Sequence, residues 1–262
     1  MKKIMLQEIV KVAANTRIGE DYFKLILRSK AIAASALPGQ FIQIRVSAGD
    51  DPLLRRPVSI HRVNADTLEV LCEIVGKGTQ LLSAVKEGGR LDIIGPLGNG
   101  FDYGGARAPE RKVPVLVAGG MGVAPLVFLA QKLRKHKPLA LIGARTKKQV
   151  LCAGELKKLG CKVMIATDDG SLGFKGRVTQ LLENILGAGA RAPAQIYACG
   201  PRPMLKEISR LSAAYNIPAQ ISLEEHMSCG IGACLGCVVD TKAGYKRVCK
   251  DGPVFEARQV VW

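Results

Sequence analysis

Residues 113–136 read VPVLVAGGMGVAPLVFLAQKLRKH. VPVLVAG is apolar, rich in valine and closed by glycine, the signature of a buried strand. PLVFLAQKLRKH then reads as a helix, with Pro125 near its first turn, where a missing N–H costs nothing. The same alternation continues toward the C-terminus. LALIGAR, CKVMIAT, QIYACG and PAQISLE read as strands, and VLCAGELKKLG, RVTQLLENILG and PMLKEISRLSAAYN as helices. Strands alternating with helices imply an α/β doubly wound parallel sheet, here over 110–222.

Upstream the periodicity is different. IVKVAAN, YFKLILRS, QFIQIRVS, VSIHRVN, TLEVLCEIV and GRLDIIGPLG are short runs, many of them alternating, separated by Gly, Pro, Asn and Asp. Six such runs over 1–103 predict a small antiparallel β-barrel. The stretch 102–112, DYGGARAPERK, has no period and reads as a linker. Regular patterning stops again near 223. Residues 223–262 are expected to form a third, small domain that needs something other than a core to hold it. The chain is thus expected to be multi-domain.

Composition narrows the function classes. With 262 residues and 48% hydrophobic content, the chain can build real cores. No apolar run reaches the roughly 18 residues that span a bilayer, so no membrane role is expected. The opening MKKIMLQEIVKV resembles a signal n-region, but Gln7, Glu8 and Lys11 interrupt it and no small-residue cleavage site follows. It reads as the first strand of a cytoplasmic protein, and a reducing compartment disfavours a disulfide framework. The net charge of +16 fits a solvated basic surface, or attraction to anionic ligands or an acidic partner protein. No nucleic-acid-reading motif accompanies it, and aromatics are few.

The residues that carry chemistry lie at the ends of these elements. In AGGMGVAPL, 118–126, Gly120 and Gly122 would let backbone N–H groups approach a pyrophosphate at a helix N-terminus, although a tight turn reads the same way. CGPRPML places Cys199 and Gly200 at the carboxyl end of the next-to-last strand, in the same crevice. TDDGS ends the sheet's third strand. Its carboxylates, Asp168 first, could accept from ribose hydroxyls and would repel a 2′-phosphate, or could simply cap a helix. In the barrel, LRRPVSI offers two arginines for phosphate and Ser59 for a flavin ring nitrogen, and the glycines of GKGT offer backbone donors to a second phosphate, although each stretch reads equally as a plain turn. The most specific signal is C-x4-C-x2-C-x11-C at Cys229, Cys234, Cys237 and Cys249. Zinc sites usually come as two separated pairs, whereas three ligands in one loop and one apart is the plant-type [2Fe–2S] spacing. The small residues Gly230, Gly232, Ala233 and Gly236 suit a backbone wrapped around inorganic sulfide. His226 reads as a neighbour, not a ligand.

R-P-V-S, then G-K-G-T, G-G-M-G-V-A-P and C-G-P together resemble the ferredoxin–NADP⁺ reductase superfamily over 1–222. With SLEEHMSCG, the four cysteines and the V-C-K-D-G-P-V-F ending, the whole chain is similar to the electron-transfer subunits of class B dihydroorotate dehydrogenases, the NAD⁺-linked enzymes of pyrimidine biosynthesis. That resemblance implies FAD on the barrel. Arg56, Pro57, Val58 and Ser59 would lie along the flavin, Leu71, Cys72 and Glu73 would border it, and Gly78 and Thr79 would hold the pyrophosphate. Many relatives have an aromatic and a basic residue where this chain has Cys72 and Glu73, so only backbone contacts are expected there. NADP-dependent relatives carry Ser and Arg near the end of the third strand. Asp168 and Asp169 therefore favour NAD.

A nicotinamide exchanges two electrons, a [2Fe–2S] cluster one, and a flavin does both, so FAD belongs between them. No acid–base pair stands out and no catalytic side chain is expected. The relay must end at another protein, which the resemblance implies is an FMN-containing dihydroorotate-oxidising subunit, in a heterotetramer of two of each. One rival is the electron-transfer subunit of an NADH-dependent ferredoxin–NADP⁺ oxidoreductase or a sulfhydrogenase. A rival from another class is a non-enzymatic zinc-stabilised binding protein.

Overall fold

The computed structural model describes residues 5–104, 113–187 and 195–262. Most of the expected linker, 105–112, lies outside them. The chain divides into two compact units, the first 1–100 with 225–238 and 246–253, the second 101–224 with 239–245 and 254–262. The cysteine segment is therefore shared between the two.

The first unit is a closed antiparallel barrel of six strands in the order β1-β2-β5-β4-β3-β6. They are β1 (Leu6–Arg17), β2 (Tyr22–Arg28), β3 (Phe41–Ile44), β4 (Arg56–Val63), β5 (Thr67–Glu73) and β6 (Arg90–Leu97). β1 closes it against β6, from Leu6 opposite Gly95 to Lys11 opposite Arg90. Its core holds Phe23, Leu25, Leu27, Ile42, Ile44, Ile60, Leu68 and Val70, all fully buried. Each such side chain contributes roughly 1.5–3 kcal/mol by leaving water. Two short helices join it, α1 (Lys30–Ser35), where Ser29 Oγ accepts from the Ile32 N–H, and α2 (Lys77–Ser83).

The second unit is a seven-stranded sheet. Its strands β7 (Val115–Gly119), β8 (Leu139–Ala144), β9 (Lys162–Thr167), β10 (Phe174–Lys175), β11 (Ile196–Cys199) and β12 (Ala219–Ser222) run in the order β10-β9-β8-β7-β11-β12, all parallel. A further strand, Val254–Glu256, adds antiparallel to β12. Helices α3 (Val123–Leu133) and α4 (Ala153–Lys158) pack together, as do α5 (Val178–Gly187) and α6 (Arg202–Ala214). The strand order reverses between β7 and β11, so the turns after these two strands form the topological switch point. α4 is shorter than its sequence suggests, because Cys152 sits in the left-handed region at φ 59° just before it. No helix among the described residues is long and apolar enough to cross a membrane.

Candidate functional site

Three groups of residues stand out, and each is built by a different local device. In the barrel, β4 pairs with β5 only from Ile60 onward, while residues 56–59 pair with β3 alone. A proline suits a strand half that lacks one neighbour. Arg56, Pro57, Val58 and Ser59 thus lie on a ledge of the barrel wall. The two arginines of LRRPVSI separate in role. Arg55 is bound to Asp92 through two bonds of 2.6 and 3.1 Å and to the Asp92 carbonyl at 2.9 Å. Arg56 turns instead over Gly78, where any Cβ would stand 2.4 Å from its Nε. Arg56 and the start of α2 are therefore brought together, although a whole strand separates them in sequence. The Thr79 hydroxyl is occupied in its own turn, accepting from the Val75 and Gly76 N–H groups and donating to the Gly76 carbonyl. It shapes the loop around Gly78.

Leu71 and Cys72 are buried, and burial pushes the Cys72 thiol up to about 12. Neither side chain offers a charge. Glu73 stands opposite Tyr22, whose hydroxyl is pushed up by burial and by the Glu73 and Asp21 carboxylates. That pairing gives Glu73 a role in the barrel that sequence reasoning missed.

In the sheet unit, parallel pairing puts the carboxyl ends of β7, β8, β9, β11 and β12 along one edge. Gly122 lies so close to β11 that a Cβ would stand 2.1 Å from the Cys199 carbonyl oxygen and 2.6 Å from the Gly200 nitrogen. Gly120, at φ 53°, has open space where its Cβ would be. The two glycine turns and Cys199 are thus assembled at the switch point, where an open α/β sheet takes its ligand. Cys199 is buried with its Sγ 3.9 Å from Glu224 Oε1, and burial and that carboxylate push its thiol well up. At the end of β9 the two aspartates differ. Asp169 accepts from the Ser171 N–H at 2.9 Å and hydroxyl at 2.6 Å, closing its own turn. Asp168 is exposed beside it.

The third group is the cysteine loop. None of the eight cysteines forms a disulfide. Backbone N–H groups converge on the sulfurs: Ala233 and Cys234 donate to Cys229 Sγ at 3.3 and 3.4 Å, Gly236 to Cys234 Sγ at 3.5 Å, and Cys249 to Cys237 Sγ at 3.4 Å. Burial opposes a charge on Cys229, but the N–H groups of Cys234, Ile231 and Ala233 outweigh it and bring the thiol down to about 6. Burial and the Cys237 thiol push Cys249 up to about 12. A loop that draws its peptide dipoles onto sulfur is built for thiolate ligands, and such N–H···S bonds are what tunes an iron–sulfur centre. The donor set therefore fits a cluster. Arg247 ties the loop to the fourth cysteine's turn, donating to the Gly232 carbonyl at 3.1 Å and pairing with Asp251 at 3.0 Å. Asn99, just past β6, holds the same turn by donating to the Asp251 carbonyl at 2.7 Å.

Comparison with known proteins agrees with this geometry. The family described as the iron-sulfur cluster binding domain of dihydroorotate dehydrogenase B matches residues 224–261, and the oxidoreductase NAD-binding domain matches 116–210. The dihydroorotate dehydrogenase B (NAD(+)) electron transfer subunit of Desulforamulus reducens is 45% identical, covering 96% of this chain and 97% of its own. That of Geobacillus kaustophilus is 41% identical, covering 97% and 98%. Among solved structures, an NADH-dependent reduced ferredoxin-NADP oxidoreductase is 29% identical with a TM-score of 0.83, covering 97% of this chain and 90% of that one. A ferredoxin NADP+ reductase from Neisseria gonorrhoeae, 17% identical with a TM-score of 0.66 over 80% and 91%, shares the fold. On the strength of relatives matched from end to end, the chain belongs to the family of electron transfer subunits of dihydroorotate dehydrogenase B (NAD(+)).

Proposed function

We propose that this chain passes electrons from an FMN-containing, dihydroorotate-oxidising subunit through a [2Fe–2S] cluster and FAD to NAD⁺. Bound here, the cluster supplies single-electron transfer, NAD⁺ takes a hydride, and FAD does both. The observation that carries the reading is the set of N–H groups drawn onto Cys229, Cys234 and Cys237, in a chain whose remainder is a barrel and a doubly wound sheet.

Cys229, Cys234, Cys237 and Cys249 are assigned as ligands. On the barrel, the ledge Arg56–Ser59 is assigned to FAD, with Arg56 and the turn at Gly78 and Thr79 facing its phosphates and Leu71, Cys72 and Glu73 bordering it through backbone. Gly120, Gly122, Cys199 and Gly200 are assigned to the nicotinamide cofactor, and Asp168 to its ribose. An exposed carboxylate there accepts from a 2′-hydroxyl and repels a 2′-phosphate, which favours NAD over NADP. The residues bind and orient, and no side chain is needed to move a proton in the relay. The partner is the catalytic subunit that the family's designation implies, in a complex we place in the cytoplasm with two copies of each chain. A reducing compartment keeps the ligand thiols available.

The test is the visible spectrum of the anaerobically purified chain before and after NADH. Flavin and iron–sulfur bands that bleach with NADH are expected. No cluster after reconstitution with iron and sulfide would overturn the ligand assignment, and bands that NADH leaves unbleached would overturn the nicotinamide assignment.

A further inference from the structure

Gln43 lies in the middle of β3, opposite Pro57 on β4 and Ile94 on β6. It is fully buried, and its Nε2 and Oε1 both lack a hydrogen-bond partner among the described residues. Buried polar groups are satisfied in native proteins, and an amide orphaned at both ends calls for a missing partner. A leucine or methionine would fill the same space without that cost. The position of the amide shows what it waits for. A Cβ built on Gly230 would stand 2.5 Å from Gln43 Nε2, 2.6 Å from its Cγ and 2.9 Å from its Cδ. The side chain therefore lies directly against Gly230, the residue after Cys229, and Gly230 is itself buried with φ at 70°. The other sulfur-directed donors of this loop are backbone N–H groups from the loop and its closing turn. Gln43 is a side-chain donor brought to the loop by a different part of the chain.

We propose that Gln43 is a positioning residue of the cluster site: its carboxamide donates from the barrel wall to a sulfur of the loaded Cys229 loop, raising the potential of the cluster. The proposal rests on the cluster reading above. A donor to sulfur stabilises the reduced, more negative centre, so its removal disfavours reduction. Gly230 is the position that lets the amide approach.

The test uses the full chain, reconstituted with iron, sulfide and FAD and titrated anaerobically with mediator dyes while the cluster is read by electron paramagnetic resonance. Gln43→Met keeps the volume and removes the donor. It should lower the equilibrium constant for one-electron reduction about tenfold or more, a shift of about 59 mV to the negative, and change the resonance line shape. Gly230→Ala, which pushes the loop off an intact amide, should shift the potential the same way. Ile44→Val, a purely packing change on the same strand, should leave it in place. A Gln43→Met potential within about threefold of wild type in that constant, with an unchanged resonance, overturns the proposal. If Gln43→Met does not assemble, an unshifted Gly230→Ala overturns it. Wild-type chain that takes up no cluster would instead overturn the cluster reading, and this proposal with it.

Discussion

Gly122→Ala tests whether the switch point is as tightly closed as its geometry says. The added methyl would meet the Cys199 carbonyl oxygen at 2.1 Å, its carbon at 2.3 Å and the Gly200 nitrogen at 2.6 Å. These are backbone atoms at the end of β11, which is hydrogen-bonded to β7 on one side and β12 on the other, so no side chain can swing away. The two turns must separate by roughly an ångström, and overpacking of that kind costs about 1–3 kcal/mol. For a domain of this size each kcal/mol lowers the melting temperature by about 2–4 °C, so a fall of about 2–12 °C is expected. The separation opens the place assigned to the nicotinamide cofactor, so the KM for NADH in dye reduction should rise together with the loss of stability. Gly120→Ala is the internal comparison, because among the described residues it meets nothing within 4 Å and bears only the strain of a left-handed φ of 53°. Thermal melts with saturating FAD should rank wild type above Gly120→Ala above Gly122→Ala. A Gly122→Ala protein that melts within about 1 °C of wild type and keeps its KM for NADH would refute the close-packed reading.

Other expectations follow from single side chains. Gly154 stands in α4 with nothing among the described residues within 4 Å of where a Cβ would lie, so Gly154→Ala should raise stability by about 0.4–1 kcal/mol in a melt. For Asp92, burial acts upward, but hydrogen bonds from Arg55 and Gln7 and the Arg55 charge win and hold the carboxyl below its ordinary 3.8. Its contribution is complete above that ordinary value and is lost as pH falls through the depressed one. Wild type should therefore exceed Asp92→Asn in stability near neutrality, and the gap should narrow as melts are taken below about pH 4. Asp168→Ser should raise the NADPH-to-NADH ratio of kcat/KM by about tenfold or more, by removing one like-charge contact with a 2′-phosphate. An unchanged ratio would take Asp168 out of the ribose site.

Much of this architecture could be read from the chain because its two periodicities are clean. Alternation in YFKLILRS and TLEVLCEIV marks strands of a barrel, and the apolar run VLVAG marks a strand covered on both faces. The spacing of the four cysteines announces one loop and one outlying cysteine, and N–H groups of that loop turn onto Cys229 Sγ. α1 and α2 were not expected. Helices this short give too little period to see, and only Ser29 as a cap hints at the first. The separation of Arg55 from Arg56 was equally invisible, since it depends on Asp92, 37 residues away in sequence. Gln43 shows the limit most clearly. In QFIQIRVS a period of two sends that position outward to water, yet it is fully buried, because the cysteine loop, far later in the chain, covers it. A local pattern records which face of a strand is polar, and says nothing about what later lies on it.

The strand Val254–Glu256 has a consequence for the order in which the protein is made. It follows the whole cysteine loop in sequence, and it is what pairs the outer edge of β12. While a ribosome still holds those residues in its exit tunnel, the nascent sheet presents an unpaired edge at Ala219–Ser222, the kind of surface on which other chains add strands. Emergence of Val254–Glu256 is then the event that seals the sheet, so a message cut short just before Val254 should give an aggregating product, not a slightly shorter working one.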